Sequence, residues 1–295
     1  MRIRGVFLIA AFVLLFGGYA FALVVAASVP PICSLIAEVG RERVTVVQLI
    51  PNGANPHAYE PTPSDVAKAA QAEAFFLVGL GFDTYLEKVI KAAKGEKALI
   101  LYLHSGLDLL EDRGENHHEE ANPHIWLSLR NAQVILETVA RNLSSLDPEG
   151  ANFYRENAKR YAQVLAEIDT WFTQEILSLP SRSFVATHNS LSYLARDYGL
   201  FEAGVLEKAP GYEPTPQELA ELVTLMREKN VRIVVAEPQF SVKAAQVLAE
   251  ETQSTLVFFD PLGTFPDTPY HVLMKENLRK LIEAWKGSGN DQPGD

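Results

Sequence analysis

Residues 148–179 carry the pattern that most restricts how this chain can fold. Asp147 and Pro148 read as an N-cap and a first helical residue. Tyr154, Ala158, Tyr161, Leu165, Ile168, Phe172, Ile176 and Leu179 then recur near a 3.6-residue period as far as Pro180. A helix over these 32 residues would reach about 48 Å. Such a rod outruns one small lobe and is expected to run along two of them. A coiled-coil dimer is the alternative, but Trp171, Phe172 and the tyrosines fit its narrow seam poorly.

On both sides of the rod, short apolar strands alternate with helices. Before it, strands are expected over 23–28, 44–50, 74–78 and 98–103, with helices over 32–39 and 85–93 and from Thr62 and Ser128 onward. After it, strands are expected over 183–187, 201–206, 231–236 and 255–259, with helices over 189–198, 241–251 and 270–285. This alternation implies βα units and parallel sheets. The expected fold is α/β: two lobes, each a small, mainly parallel sheet flanked by helices, joined by one long helix. The lobes span 23–146 and 180–286, the linking helix 147–179, and residues 287–295 read as a disordered polar tail. Glu60-Pro61-Thr62-Pro63-Ser64-Asp65 is echoed by Glu213-Pro214-Thr215-Pro216-Gln217-Glu218. Each gives a Thr cap, a proline and an acid at N3, so the lobes are expected to share an architecture.

Residues 1–22 read as a secretory leader. Arg2 and Arg4 precede an apolar run over 6–16, and Ala20 and Ala22 supply the small residues of a cleavage site. An uncleaved anchor is the rival, because the apolar stretch continues through Val25. The single cysteine, Cys33, can form no internal disulfide and lacks the small residues that precede a lipidated cysteine. The formal charge of −11 argues against nucleic acid and anionic lipid as partners and suits a cationic ligand.

Asn55-Pro56-His57 and Asn122-Pro123-His124 repeat one tripeptide in which proline stiffens the backbone before a histidine. His188 and Asp260 follow expected strands, and ligands of open parallel sheets gather beyond the carboxyl ends of strands. Three imidazoles and a carboxylate form a tetrahedral set suited to Zn²⁺. Mn²⁺ prefers more oxygen, so a nitrogen-rich set favours zinc. No H-E-x-x-H or other paired ligand-and-base motif is present, so a zinc hydrolase is not expected.

Taken together, residues 51–63, 122–127, 186–188, 193–200, 211–216, 237–240 and 260–263 resemble the metal-specific solute-binding proteins of ABC importers, the zinc and manganese receptor family. The resemblance implies a periplasmic or extracytoplasmic receptor that is monomeric, is not an enzyme, and passes its metal to an ABC permease. It assigns metal ligation to His57, His124 and His188, with Asp260 as the fourth ligand and water, Glu60 or Glu237 as alternatives. Zinc is the implied cargo, and manganese or iron the alternative. Asn stands before both Pro-His pairs, and Ser128 stands after the second, where Asp is more usual in the family. His117 and His118, beside Glu119 and Glu120, are read as part of a solvated loop rather than an accessory metal site. His104 and His271 are expected to be structural or exposed.

Overall fold

The structure, a computed structural model, describes residues 22–111, 121–179, 181–207 and 212–288. The leader before Ala22, His117, His118 and the tail beyond Ser288 lie outside these residues.

In the N-terminal lobe β1 (Leu23–Ala27), β2 (Val44–Gln48), β3 (Ala74–Leu77) and β4 (Leu99–Tyr102) form one parallel sheet in the order β2-β1-β3-β4. Helices α1 (Pro30–Gly40), α2 (Pro63–Ala69) and α3 (Tyr85–Lys94) supply the crossovers, and α4 (Leu129–Leu146) follows. In the C-terminal lobe β5 (Ser183–Ala186), β6 (Phe201–Val205), β7 (Ile233–Ala236) and β8 (Thr255–Phe258) repeat the order as β6-β5-β7-β8, again all parallel. The long helix α5 (Ala151–Leu177) joins the lobes. Helices α6 (Ser192–Tyr198), α7 (Pro216–Glu228), α8 (Lys243–Thr252) and α9 (Tyr270–Ser288) complete the second lobe.

The architectural echo holds at the level of single turns. Thr62 with Asp65, and Thr215 with Glu218, both close reciprocal capping boxes behind a proline. The two helices they start, α2 and α7, fill the same place in each lobe, between the second and third strands.

The linking helix is shorter than its periodicity predicts. Residues Pro148–Gly150 form a 3₁₀ turn, and the α-helix of 27 residues begins at Ala151. Asp147 Oδ1 accepts Gly150 N at 3.2 Å, as a cap should. Its Oδ2, however, is held by Arg43 Nη2 at 2.7 Å and Tyr154 OH at 2.6 Å. Gly150 is pressed so close that a Cβ there would lie 2.4 Å from Asp147 Oδ2. The first turn is thus held by local contacts and by the distant Arg43 together.

Strand periodicity divides the second sheet between two cores. Phe184, Ala186, Ile233 and Val235 join a continuous core that also contains β1, α1, α4, α5 and α9 residues of both lobes. Val185, Val234 and Ala236 face the other way, onto Met226, Ala245 and Leu248 of α7 and α8. Polar contacts also cross between lobes. Tyr270 N donates to Ser34 Oγ at 2.9 Å, and Asn52 pairs with the backbone of Phe265 through its Nδ2 (3.0 Å) and Oδ1 (3.1 Å).

The loop carrying His57 is pinned from behind by Asp65, which is buried. Tyr59 OH, Thr62 N and Thr62 Oγ1 all donate to Asp65 Oδ2, at 2.6, 2.8 and 2.8 Å, and Lys68 Nζ lies 3.1 Å from Oδ1. Burial opposes the charge, but these hydrogen bonds outweigh it and lower the pKa to about 2. A depressed carboxylate stabilises the fold above its unfolded value near 3.8, and loses that contribution as pH falls through about 2. Asp65→Ala is expected to cost about 2 kcal/mol at neutral pH and to flatten the acid limb of the stability curve. Urea melts of both chains from pH 7 to pH 2 check this; parallel curves would show that Asp65 contributes no charge-dependent stability.

Candidate metal centre

Each Asn-Pro-His unit folds into the same local turn. Asn55 Oδ1 accepts His57 N at 3.0 Å, and Asn122 Oδ1 accepts His124 N at 3.0 Å. A side-chain oxygen bonded to the N–H two residues on is an Asx-turn, and the intervening proline fixes φ. The units then diverge. Asn122 Oδ1 also lies 2.9 Å from His124 Nδ1, while Asn122 Nδ2 donates to Asn189 O at 2.8 Å. The amide is thereby oriented, and its oxygen can only accept. The His124 proton therefore sits on Nδ1, and Nε2 presents a lone pair.

His188 follows β5, and Glu237 follows β7 on the neighbouring strand. Glu237 Oε1 lies 3.0 Å from His188 Nδ1 and accepts Ser190 Oγ at 2.6 Å. This contact carries an ionic component only when His188 is protonated. His188, Ser190 and Glu237 are all buried.

The three imidazoles converge. His57 Nε2 lies 3.1 Å from His124 Nε2, and His188 Nε2 lies 3.2 Å from the same atom. Donor atoms of all three fall within 4.8 Å of one another. Zn–N bonds of ~2.0–2.1 Å in a tetrahedron separate the nitrogens by about 3.3–3.4 Å, close to the two separations from His124 Nε2. Pro56, Phe82, Trp126, Phe240, Pro261 and Leu262 wall the site, which encloses about 10 Å³. That is room for about one small guest. A groove of about 910 Å³ between α4 and α5 is far larger, but its lining contains no histidine, cysteine or aspartate, and Glu137 is its sole carboxylate.

Charge is distributed unequally among the three histidines. Burial, with His188 and His57 nearby, holds His124 well below the ordinary histidine pKa. Burial acts the same way on His188, but Glu237, with Glu207 and Glu202 behind it, outweighs it and raises the pKa. His124 is thus a neutral lone-pair donor across the working pH range, and His188 takes up a proton more readily.

Asp260 stands apart from the triad. Its Oδ1 accepts Gln239 Nε2 at 2.8 Å and the backbone N–H groups of Leu262 and Gly263 at 3.0 Å. It is not in the group of donors within 4.8 Å. Glu60 is exposed. Glu237, the other alternative ligand, contacts His188 and Ser190 instead. His104 Nδ1 bonds Val78 O at 2.9 Å, and His271 Nδ1 bonds Tyr161 OH at 3.0 Å, so both serve the fold. Sequence reasoning passed over the grip of Asn122 on the His124 ring and the contact of Gln239 with Asp260. The first had a signal, an amide two residues before a histidine.

The family model described as "ZnuA: Zinc-uptake complex component A periplasmic" matches residues 25–284. The chain belongs to this family. As a zinc-uptake component A chain, it is 28% identical over 270 residues to the "High-affinity zinc uptake system protein ZnuA" of Bacillus subtilis, covering 86% of this chain and 85% of that one. It is 26% identical over 268 residues to the "Manganese ABC transporter substrate-binding lipoprotein PsaA" of Streptococcus anginosus, covering 85% and 86%. A solved structure described as "Crystal structure of ZnuA" superposes with a TM-score of 0.81 at 32% identity, covering 90% of this chain and 99% of that one. Members of the zinc-uptake component A family are substrate-binding receptors of ABC importers. Among the described residues, no helix is long and apolar enough to cross a membrane.

Within that family setting, Glu237 is expected to matter through its contact with His188. Glu237→Gln should weaken zinc affinity about 10–100-fold with little change in the melting temperature of the metal-free chain. Titration calorimetry measures this, and an affinity within twofold of the parent would make Glu237 dispensable.

Proposed function

We propose that this chain is an extracytoplasmic receptor that captures Zn²⁺ with high affinity and delivers it to the permease of an ABC importer. The observation that carries the reading is the convergence of the Nε2 atoms of His57, His124 and His188 in one aromatic-walled site. In this reading those histidines are three ligands and Asp260 is the fourth, reaching the metal through Oδ2. Three neutral nitrogens and one carboxylate suit zinc. Four protein ligands leave no open position for a reacting water, so the site captures and releases rather than catalyses; a zinc hydrolase would need that position and a general base.

The proposal includes export by the leader over 1–22, its removal, and a monomeric mature receptor. That receptor has lobes over 23–146 and 180–286 and a linking helix over 147–179. Manganese is the second reading, favoured by the similarity to the streptococcal manganese protein. Elemental analysis of protein purified under mild conditions, followed by zinc and manganese competition titrations, tests the assignment. Zinc should be recovered and should bind more tightly; tighter binding of Mn²⁺ would overturn it.

A further inference from the structure

Gln239 lies 21 residues before Asp260 in sequence and reaches it across the sheet. Its Nε2 is one of three donors on Asp260 Oδ1, the others being Leu262 N and Gly263 N. Three donors on one oxygen fix the direction in which the carboxylate faces. The two backbone donors belong to the turn that Asp260 itself begins and move with it. Gln239 is different, because it ties the carboxylate to the segment that carries Glu237 behind His188. Gln239 also lines the small site with the three histidines, and its Oε1 is buried without a partner. A buried amide oxygen with no partner is costly, so the side chain is held there for its donor end.

We infer that Gln239 is a positioning residue that sets metal specificity: by holding Asp260 Oδ1, it confines Asp260 to a single-oxygen ligand and favours four-coordinate Zn²⁺ over Mn²⁺. The inference rests on the ligand set proposed above. Zn²⁺ is satisfied by four donors in a tetrahedron. Mn²⁺ sites are typically octahedral and rich in oxygen. A carboxylate with both oxygens free can close on a cation through two of them and raise the coordination number. A carboxylate with one oxygen tied to a fixed amide cannot swing to do so. Gln239 thus excludes the geometry that manganese needs, without touching the metal.

The test uses the full mature chain, stripped of metal, as parent, Gln239→Leu and Gln239→Ser. Zn²⁺ and Mn²⁺ affinities are measured by chelator competition, and the visible spectrum of the Co²⁺-loaded protein reports coordination number. Both variants should lower the zinc-over-manganese preference about tenfold or more, chiefly by tighter Mn²⁺ binding. The strong Co²⁺ bands of a tetrahedral site should lose intensity as a fifth donor joins. A purely structural role would weaken both metals alike and leave the Co²⁺ spectrum tetrahedral, and that result would overturn the inference. Asp260→Ala separates the two layers of the argument. If it leaves zinc binding unchanged, Asp260 is no ligand and the inference falls while the receptor reading stands. If the parent chain binds neither Zn²⁺ nor Mn²⁺, the receptor reading itself falls.

Discussion

His124→Ala is expected to abolish high-affinity zinc binding, an effect larger than the roughly 10–100-fold cost of losing an outer hydrogen-bond partner at a metal site. His124 is the hub of the triad, because its Nε2 is within 3.1 and 3.2 Å of both other imidazoles. Burial keeps it neutral, so the lone pair is available without displacing a proton. Removing it leaves His57 and His188, whose rings lie 5.4 Å apart centroid to centroid, as the only imidazoles of the proposed set. A ligand that binds only the folded state stabilises it by about 2.7 kcal/mol at 100 times its Kd. The parent chain should therefore melt several degrees higher with zinc at that ratio, and His124→Ala should show almost no shift. Paired melts with and without zinc decide the matter, with circular dichroism of the metal-free variant confirming its fold. A preserved zinc-induced shift would remove His124 from the ligands.

Trp126→Ala should produce the largest loss of intrinsic stability, about 3–5 kcal/mol for truncating a buried aromatic. The indole is buried and walls the metal site 5.1 Å from Phe82 and 5.5 Å from His124, centroid to centroid. Its Nε1 donates to Pro261 O at 2.9 Å, and its own carbonyl accepts Tyr270 OH at 2.5 Å, so one residue ties the two lobes together. Trp126→Phe keeps most of the apolar contact but leaves Pro261 O without its donor, and should cost about 1–2 kcal/mol. Denaturant unfolding of the metal-free chains separates the packing contribution from the hydrogen bond. Equal losses in both variants would mean that the hydrogen bond, rather than the volume, carries the effect.

Local signals reported local structure well. The Thr-Pro starts of α2 and α7 needed only four residues each to be read, and both form the expected capping boxes. The three histidines were legible because each follows a strand end or a proline-stiffened turn. The start of the long helix was not, because its first turn is held partly by Arg43, more than 100 residues away. The identical strand order of the two sheets was foreshadowed only by the repeated Glu-Pro-Thr-Pro. The contact between Gln239 and Asp260 was hidden for a different reason: it joins the ends of two strands whose pairing no short motif encodes.

The shared core has a kinetic consequence. Residues of α1, α5 and α9 belong to one buried cluster that reaches both sheets, and Trp126, Tyr270 and Asn52 stitch its rim. Separating the lobes by a wide swing would break that cluster, so bound metal must leave through small rearrangements of side chains at the mouth. Exchange of a metal held by the three histidines is then expected to depend on movements of Phe82, Phe240 and the half-buried His57, which line the site, rather than on a hinge.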